Sequence, residues 1–144
     1  MLNNMLAGFY ERDIRKMIAE IELFKSEENL WKTVGSVKNP AGNLALHIVG
    51  GLNYLVGATL AKTGYVRNRD LEFTKKDVPG KEIISGLEDL IDLINKTLNN
   101  IDMNTDFPFP FDGETRTNGY VLTQLSLHLN YHLGQVNYLR RVLE

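Results

Sequence analysis

"LSLHLNYHLGQVNYLRR", residues 125–141, decides how this chain is read. Leu125, His128, His132, Gln135 or Val136, Leu139 and Val142 recur at steps of three and four, the spacing of one helical face. The stripe runs straight through both histidines, so the spacing places them toward a core and one turn apart. The helix is expected from about Asn118 or Tyr120 onward, with Arg140 and Arg141 well placed near its negative end.

The other histidine, His47, stands in "NLALHIVGGLNYL", residues 43–55. It falls on a second stripe of Leu44, His47, Ile48, Gly51, Leu55 and Ala58. The spacing thus turns all the histidines of the chain inward. An interior imidazole needs partners for both nitrogens, and a metal ion plus one acceptor supplies both. A hydrogen-bonded core histidine satisfies the same pattern. The pair lacks the glutamate of a zinc-protease H-E-x-x-H motif, since Leu129 and Asn130 follow His128.

Outward from these two segments the pattern stays helical. Leu6, Tyr10, Ile14, Met17, Ile21 and Phe24 predict an amphipathic helix from about residue 3 to residue 26. Leu30 and Trp31 in the following connection are expected against the core. Asn39 is a suitable N-cap and Pro40 a suitable first residue for the histidine-bearing second helix, with Gly64 as its C-cap. Gly50, Gly51 and Gly57 weaken that helix, and are tolerable where a neighbour or ligand must approach closely. Residues 64–78 read as a long polar connection. Ile83, Ile84, Leu87, Ile91, Ile94 and Leu98 then predict a third long helix over roughly residues 80–99. "NNIDMNTDFPFPFDGETRTNG", residues 99–119, breaks the helical pattern, with Asp112-Gly113 as a turn and a short hairpin or irregular Phe-Pro loop. Phe107, Phe109 and Phe111 read as a cover for the core or a partner contact rather than a substrate cage. The fold expected is all-α, a four-helix bundle in one domain spanning residues 1–144.

Composition narrows the chemistry. The hydrophobic share of 43% and charged share of 24% are those of an ordinary globular protein. The formal charge is −2, and the basic residues Lys62, Arg67, Arg69, Lys75 and Lys76 are interrupted by Asp70, Glu72 and Asp77. Nucleic-acid binding would call for a more one-sided footprint. No run approaches a membrane span or a secretory leader, so the expectation is a cytoplasmic protein without membrane contact. With no cysteine, disulfides, catalytic thiols and thiolate metal sites are excluded, and any thiol in the chemistry must come from a cosubstrate.

"HLNYHLGQVNYLRR", "LALHIVGGLNYL", "YVRNRDLEF" and the Phe-Pro-Phe loop, together with the helical layout, resemble the DinB/YfiT superfamily over essentially the whole chain. The resemblance implies a four-helix bundle, often homodimeric. It implies a divalent metal, zinc or nickel, held by one histidine of the second helix and an H-x-x-x-H pair of the last. By position these are His47, His128 and His132. It further implies a small-molecule ligand and, from characterised relatives, S-transfer or isomerisation with a low-molecular-weight thiol such as bacillithiol or mycothiol.

Around the histidines, Asn43, Gln124 and Gln135 are spaced to hold an imidazole tautomer or a bound water, and equally to cap, pack or face solvent. Arg67, Arg69, Asp70 and Glu72 either close over the site and recognise the carboxylates of a thiol cofactor, or form internal salt bridges in a solvated connection. The second is the plainer reading. Three functions follow: a metal-dependent S-transferase or hydrolase, a non-catalytic metal-binding protein, and a structural or regulatory dimer. No Asp or Glu lies four residues from any histidine to choose among them.

Overall fold

The first helix, α1 (Leu2–Leu23), buries Leu6, Tyr10, Ile14, Met17 and Ile21 as its spacing requires, and adds Asp13 and Ile18 to that face. It stops short of residue 26 because the backbone turns extended at Phe24, which still packs on the rim of the core. A computed structural model describes residues 1–144. Asp13 is buried, and it accepts hydrogen bonds from Arg12 Nε at 2.8 Å and Asn130 Nδ2 at 2.9 Å. A buried carboxylate without such partners would be costly, so this one fixes α1 against the last helix. A short 3₁₀ turn, Glu27–Trp31, follows. It buries Leu30 and lays the Trp31 ring on Gly42, where a Cβ would come within 2.7 Å of the indole.

The second helix, α2 (Ala41–Leu52), starts one residue later than expected. Pro40 is its N-cap, in extended conformation, and Asn39 lies outside it. The helix then widens into a π-helical turn, Asn53–Ala58, and runs on to residue 60. The wider turn carries an extra residue, which rotates the buried stripe. Ala41, Leu44, Ala45, Ile48, Leu52 and Val56 form the core face, leaving Leu55 and Ala58 half-buried. Thr59 Oγ1 donates to the Tyr54 carbonyl at 2.9 Å within this turn. The left-handed residue at the helix end is Lys62 (φ 57°), so Gly64, also left-handed, is not the C-cap.

A short helix, α3 (Arg69–Thr74), lies inside the 64–78 connection. Asn68 caps it by accepting the Leu71 N–H at 3.3 Å. The third long helix, α4 (Gly80–Asn99), has the expected bounds, although Ile84 is only half-buried. The Phe-Pro segment forms no strand. It holds two isolated antiparallel bridges, Asp106 with Thr117 and Phe111 with Glu114. Asp112 (φ 56°) and Gly113 (φ 76°) close the tip with both central residues left-handed, as a type I′ turn needs.

The last helix, α5 (Asn118–Leu143), is capped by Thr117, whose hydroxyl accepts the Tyr120 N–H at 3.1 Å. Its core face is Leu122, Leu125, Leu129, Leu133, Val136 and Leu139. The expected stripe is therefore displaced: His128 and Val142 are exposed, and His132 is half-buried. Both stripes obey the helical period and they lie about one residue apart. The leucine stripe wins the core because each buried leucine is worth about 1.5–3 kcal/mol, whereas a buried imidazole must first find partners.

The four long helices pack in the cyclic order α1, α4, α2, α5, and α3 lies on α2. No helix is long and apolar enough to cross a membrane. The histidine-bearing faces of α2 and α5 thus adjoin at the edge of an all-helical core.

Candidate metal centre

His47 projects from the middle of α2 and is buried. Its Nδ1 lies 3.0 Å from Oε1 of Glu72, carried by α3. Glu72 is only 6% exposed, and Arg67 holds it with two donors, Nε to Oε2 at 2.9 Å and Nη2 to Oε1 at 3.0 Å. The Phe73 ring covers the imidazole at 4.8 Å between centroids. The carboxylate can only accept, so Nδ1 of His47 carries the proton and Nε2 presents a lone pair.

That lone pair points at α5. His47 Nε2 lies 3.0 Å from His128 Nε2, and His132 Nε2 lies 3.1 Å from the same atom. On its other side, His132 Nδ1 lies 2.6 Å from Gln135 Oε1, the amide oxygen, to which it donates. Nε2 of His132 is therefore also a lone pair. Two lone pairs thus converge on one further ring nitrogen, which has at most one proton to give. At least one contact among neutral rings is repulsive unless a cation sits between them. Three nitrogens on one zinc ion at 2.0–2.1 Å stand about 3.3 Å apart. The two contacts at His128, 3.0 and 3.1 Å, come near that figure, and all three ligand atoms lie within 4.8 Å of one another, so the group can hold a metal ion.

Burial lowers the pKa of each ring. For His47 and His132 the hydrogen bonds to Glu72 and Gln135 oppose the shift without reversing it. His128 is pushed down to about 4, by desolvation first and then by the neighbouring imidazoles, Arg67 and Arg69. The rings are therefore neutral at neutral pH, the state a metal requires. One consequence concerns stability without metal. From 6.5 down to about 4 the unfolded chain takes up a proton at His128 that the folded chain refuses. Stability is thus complete above that window and is lost as pH falls through it. Thermal melts of metal-free protein are expected to show a falling Tm across the window, with a shallower fall in His128→Ala. Equal slopes would contradict the assignment.

The other expected residues divide. Gln135 meets an imidazole. Gln124 lines the cleft beside His128, but its amide bonds the Tyr120 hydroxyl at 3.2 Å. Asn43 makes no hydrogen bond to a histidine. Its buried amide donates to the carbonyls of Glu72 at 3.0 Å and Lys75 at 2.8 Å, so it anchors α3. Arg67 and Glu72 enter the site and Arg69 lines the cleft, stacked on Phe73 with its guanidinium 5.2 Å from the ring. Asp70 is exposed and contributes only its carbonyl, to the Thr74 hydroxyl. Phe107 is buried and Phe109 packs on it, as a cover would, whereas Phe111 lines the cleft itself.

Two openings reach the histidines. A cleft of about 360 Å³ is floored by Ile48, Leu52, Leu55 and Leu125 and reaches His47 and His128. A second, of about 470 Å³, reaches His132 from the other side, between the 34–39 segment and the end of α5. Comparison with protein-family models, with curated proteins and with solved structures returned no match.

Proposed function

We propose that the protein is a metal-dependent S-transferase of the DinB/YfiT type, holding one divalent ion through His47, His128 and His132. The observation that carries this reading is the convergence of three ring Nε2 atoms, two of them fixed as lone pairs. The packing order of the long helices, with one histidine from the second and two from the last, supports the family assignment. Imidazole-only coordination suits zinc or nickel, as it does cobalt, copper and iron.

Such an ion supplies Lewis acidity that lowers the pKa of a coordinated thiol or water. The chain's own part is to position and to exclude. Glu72 and Gln135 fix the tautomers of His47 and His132, and the apolar floor of the cleft that reaches His47 and His128 keeps bulk water from a ligand's body. A free general base is what the site lacks. Glu72, the carboxylate that touches a ligand histidine, is committed to Arg67 and His47. This favours a thiol cosubstrate over hydrolysis, because a coordinated thiol loses its proton outright whereas attack by water gains from a base. A non-catalytic metal carrier is the alternative the same observation permits. The exposed face of α5 with Leu127, Tyr131, Tyr138 and Val142, each more than half exposed, supports assembly as a homodimer.

The test is metal uptake by untagged protein. One zinc or nickel ion per chain is expected, with stabilisation of about 4 kcal/mol when free metal exceeds Kd a thousandfold. Cobalt-loaded protein should then develop a thiolate charge-transfer band on addition of a low-molecular-weight thiol. Absence of uptake would sink the metal reading, and uptake without the band would leave the carrier.

A further inference from the structure

We infer that Gly50 is the positioning residue that seats Glu72 on His47. Gly50 lies three residues after His47 on the same face of α2, and Asn43 lies four before it. This face is the one on which α3 rests. At one end the Asn43 amide holds the Glu72 and Lys75 carbonyls. At the other, the Glu72 carboxylate lies against bare helix backbone. A Cβ on Gly50 would stand 2.0 Å from Glu72 Oε2, 2.6 Å from its Cδ and 3.1 Å from its Cγ. No atom tolerates such an approach, and the buried carboxyl has little room to retreat while Arg67 grips both its oxygens.

The other close-packed helical glycines do not seat a partner of a histidine: Gly42 meets the Trp31 ring at 2.7 Å, and Gly80 meets the Glu27 carboxylate at 2.7 Å, which accepts the glycine's own N–H. Gly86 meets Val49 at 3.3 Å, and Gly57 meets Leu93 at 3.1 Å and Thr63 at 3.3 Å, which are tight packing contacts with single side-chain tips. At Gly50 the three nearest atoms all belong to Glu72. Gly51 meets only the tip of Arg67, at 3.3 Å, which a flexible side chain can yield. A glycine inside a helix is unfavourable relative to alanine, and here the missing methyl is the space the carboxylate occupies. Without that seat Glu72 withdraws, Nδ1 of His47 loses its acceptor, and the tautomer with a lone pair at Nε2 is no longer enforced.

The affinity part of the test rests on the metal reading; the tautomer part does not. Zinc affinity would be measured by chelator competition for wild type, Gly50→Ala, Glu72→Ala and the double variant, with Gly134→Ala as control. Nothing lies within 4 Å of a Cβ at Gly134. Gly50→Ala is expected to weaken binding by about 10–100-fold, as removal of an outer hydrogen-bond partner does. Glu72→Ala should do the same, and the double variant should be no worse than Glu72→Ala alone. Nitrogen-15 spectra of metal-free protein at neutral pH should show His47 protonated only at Nδ1 in wild type and at both positions in exchange in Gly50→Ala. Losses that multiply in the double variant, or a wild-type tautomer in Gly50→Ala, would overturn the inference. If Gly50→Ala does not fold, the double variant against Glu72→Ala decides: equal affinity upholds it, and a further loss overturns it. If wild type binds no zinc, the tautomer alone decides and the metal reading fails separately.

Discussion

Alanine at His47, His128 or His132 is expected to abolish stoichiometric metal binding in each case, a loss of more than about 100-fold in affinity. Removing an outer partner alone costs about 10–100-fold, and a ligand contributes more than its partner does. The three variants should differ when metal is absent. His128 is exposed and its Nε2 meets two other ring nitrogens, so His128→Ala removes a repulsive contact and should leave metal-free stability unchanged or raised. His47 is buried between Glu72 and Phe73, so His47→Ala opens a cavity and takes a hydrogen bond from a buried carboxylate. Its metal-free form should lose about 2–4 kcal/mol. Metal content by mass spectrometry, read beside urea unfolding of the metal-free proteins, separates the two roles. If metal loss followed stability loss from variant to variant, the histidines would be packing residues and the site would not exist as proposed.

The meeting of the three histidines was legible because it needs only helix period and two helices side by side. α4 was legible for the same reason: a single strong stripe leaves one way to lie on a core. On α5 two stripes competed, and period alone does not say which of two adjacent faces is buried. The leucines at 122, 129 and 133 settle that by apolar area, which turns the histidines to the seam between α2 and α5. The phase of α2 beyond Leu52 was hidden because a π-helical turn shifts register by one residue without any change in composition.

Glu72 stood among the loop residues that the sequence offers to the site, but its seat on His47 was not legible. α3 is one and a half turns long, too short to display a period, and its Leu71 is exposed while its glutamate is buried. A search for acidic residues at helical spacing from each histidine cannot find a carboxylate delivered from 25 positions away. The signal that was present lay in the glycines. Gly50 and Gly51 marked α2 as a place of close approach, and the charged connection of 64–78 held the side chains that approach it.

That connection carries the second large expectation. Glu72→Ala removes the acceptor of His47 and leaves Arg67 facing a site built for its partner. Breaking a buried ion pair by deleting one member costs about 3–5 kcal/mol when the other stays buried. Here Arg67 need not stay. α3 rests chiefly on α2 and gives little to the core, so it can undock while the bundle persists. The loss should therefore appear as local opening rather than full unfolding. Trypsin cleavage at Arg67, Arg69, Lys75 and Lys76 is expected to accelerate by about 10-fold or more, since about 1.4 kcal/mol off the opening free energy suffices, with far-UV helicity nearly unchanged. Glu72→Gln keeps the shape and one acceptor for His47, so it should open less and lose less metal affinity. If wild type and Glu72→Ala were cleaved at the same rate, the ion pair would not be what holds α3 down. Docking would then rest on the Asn43 clamp and on Phe73, and His47 would owe its orientation to α2 alone.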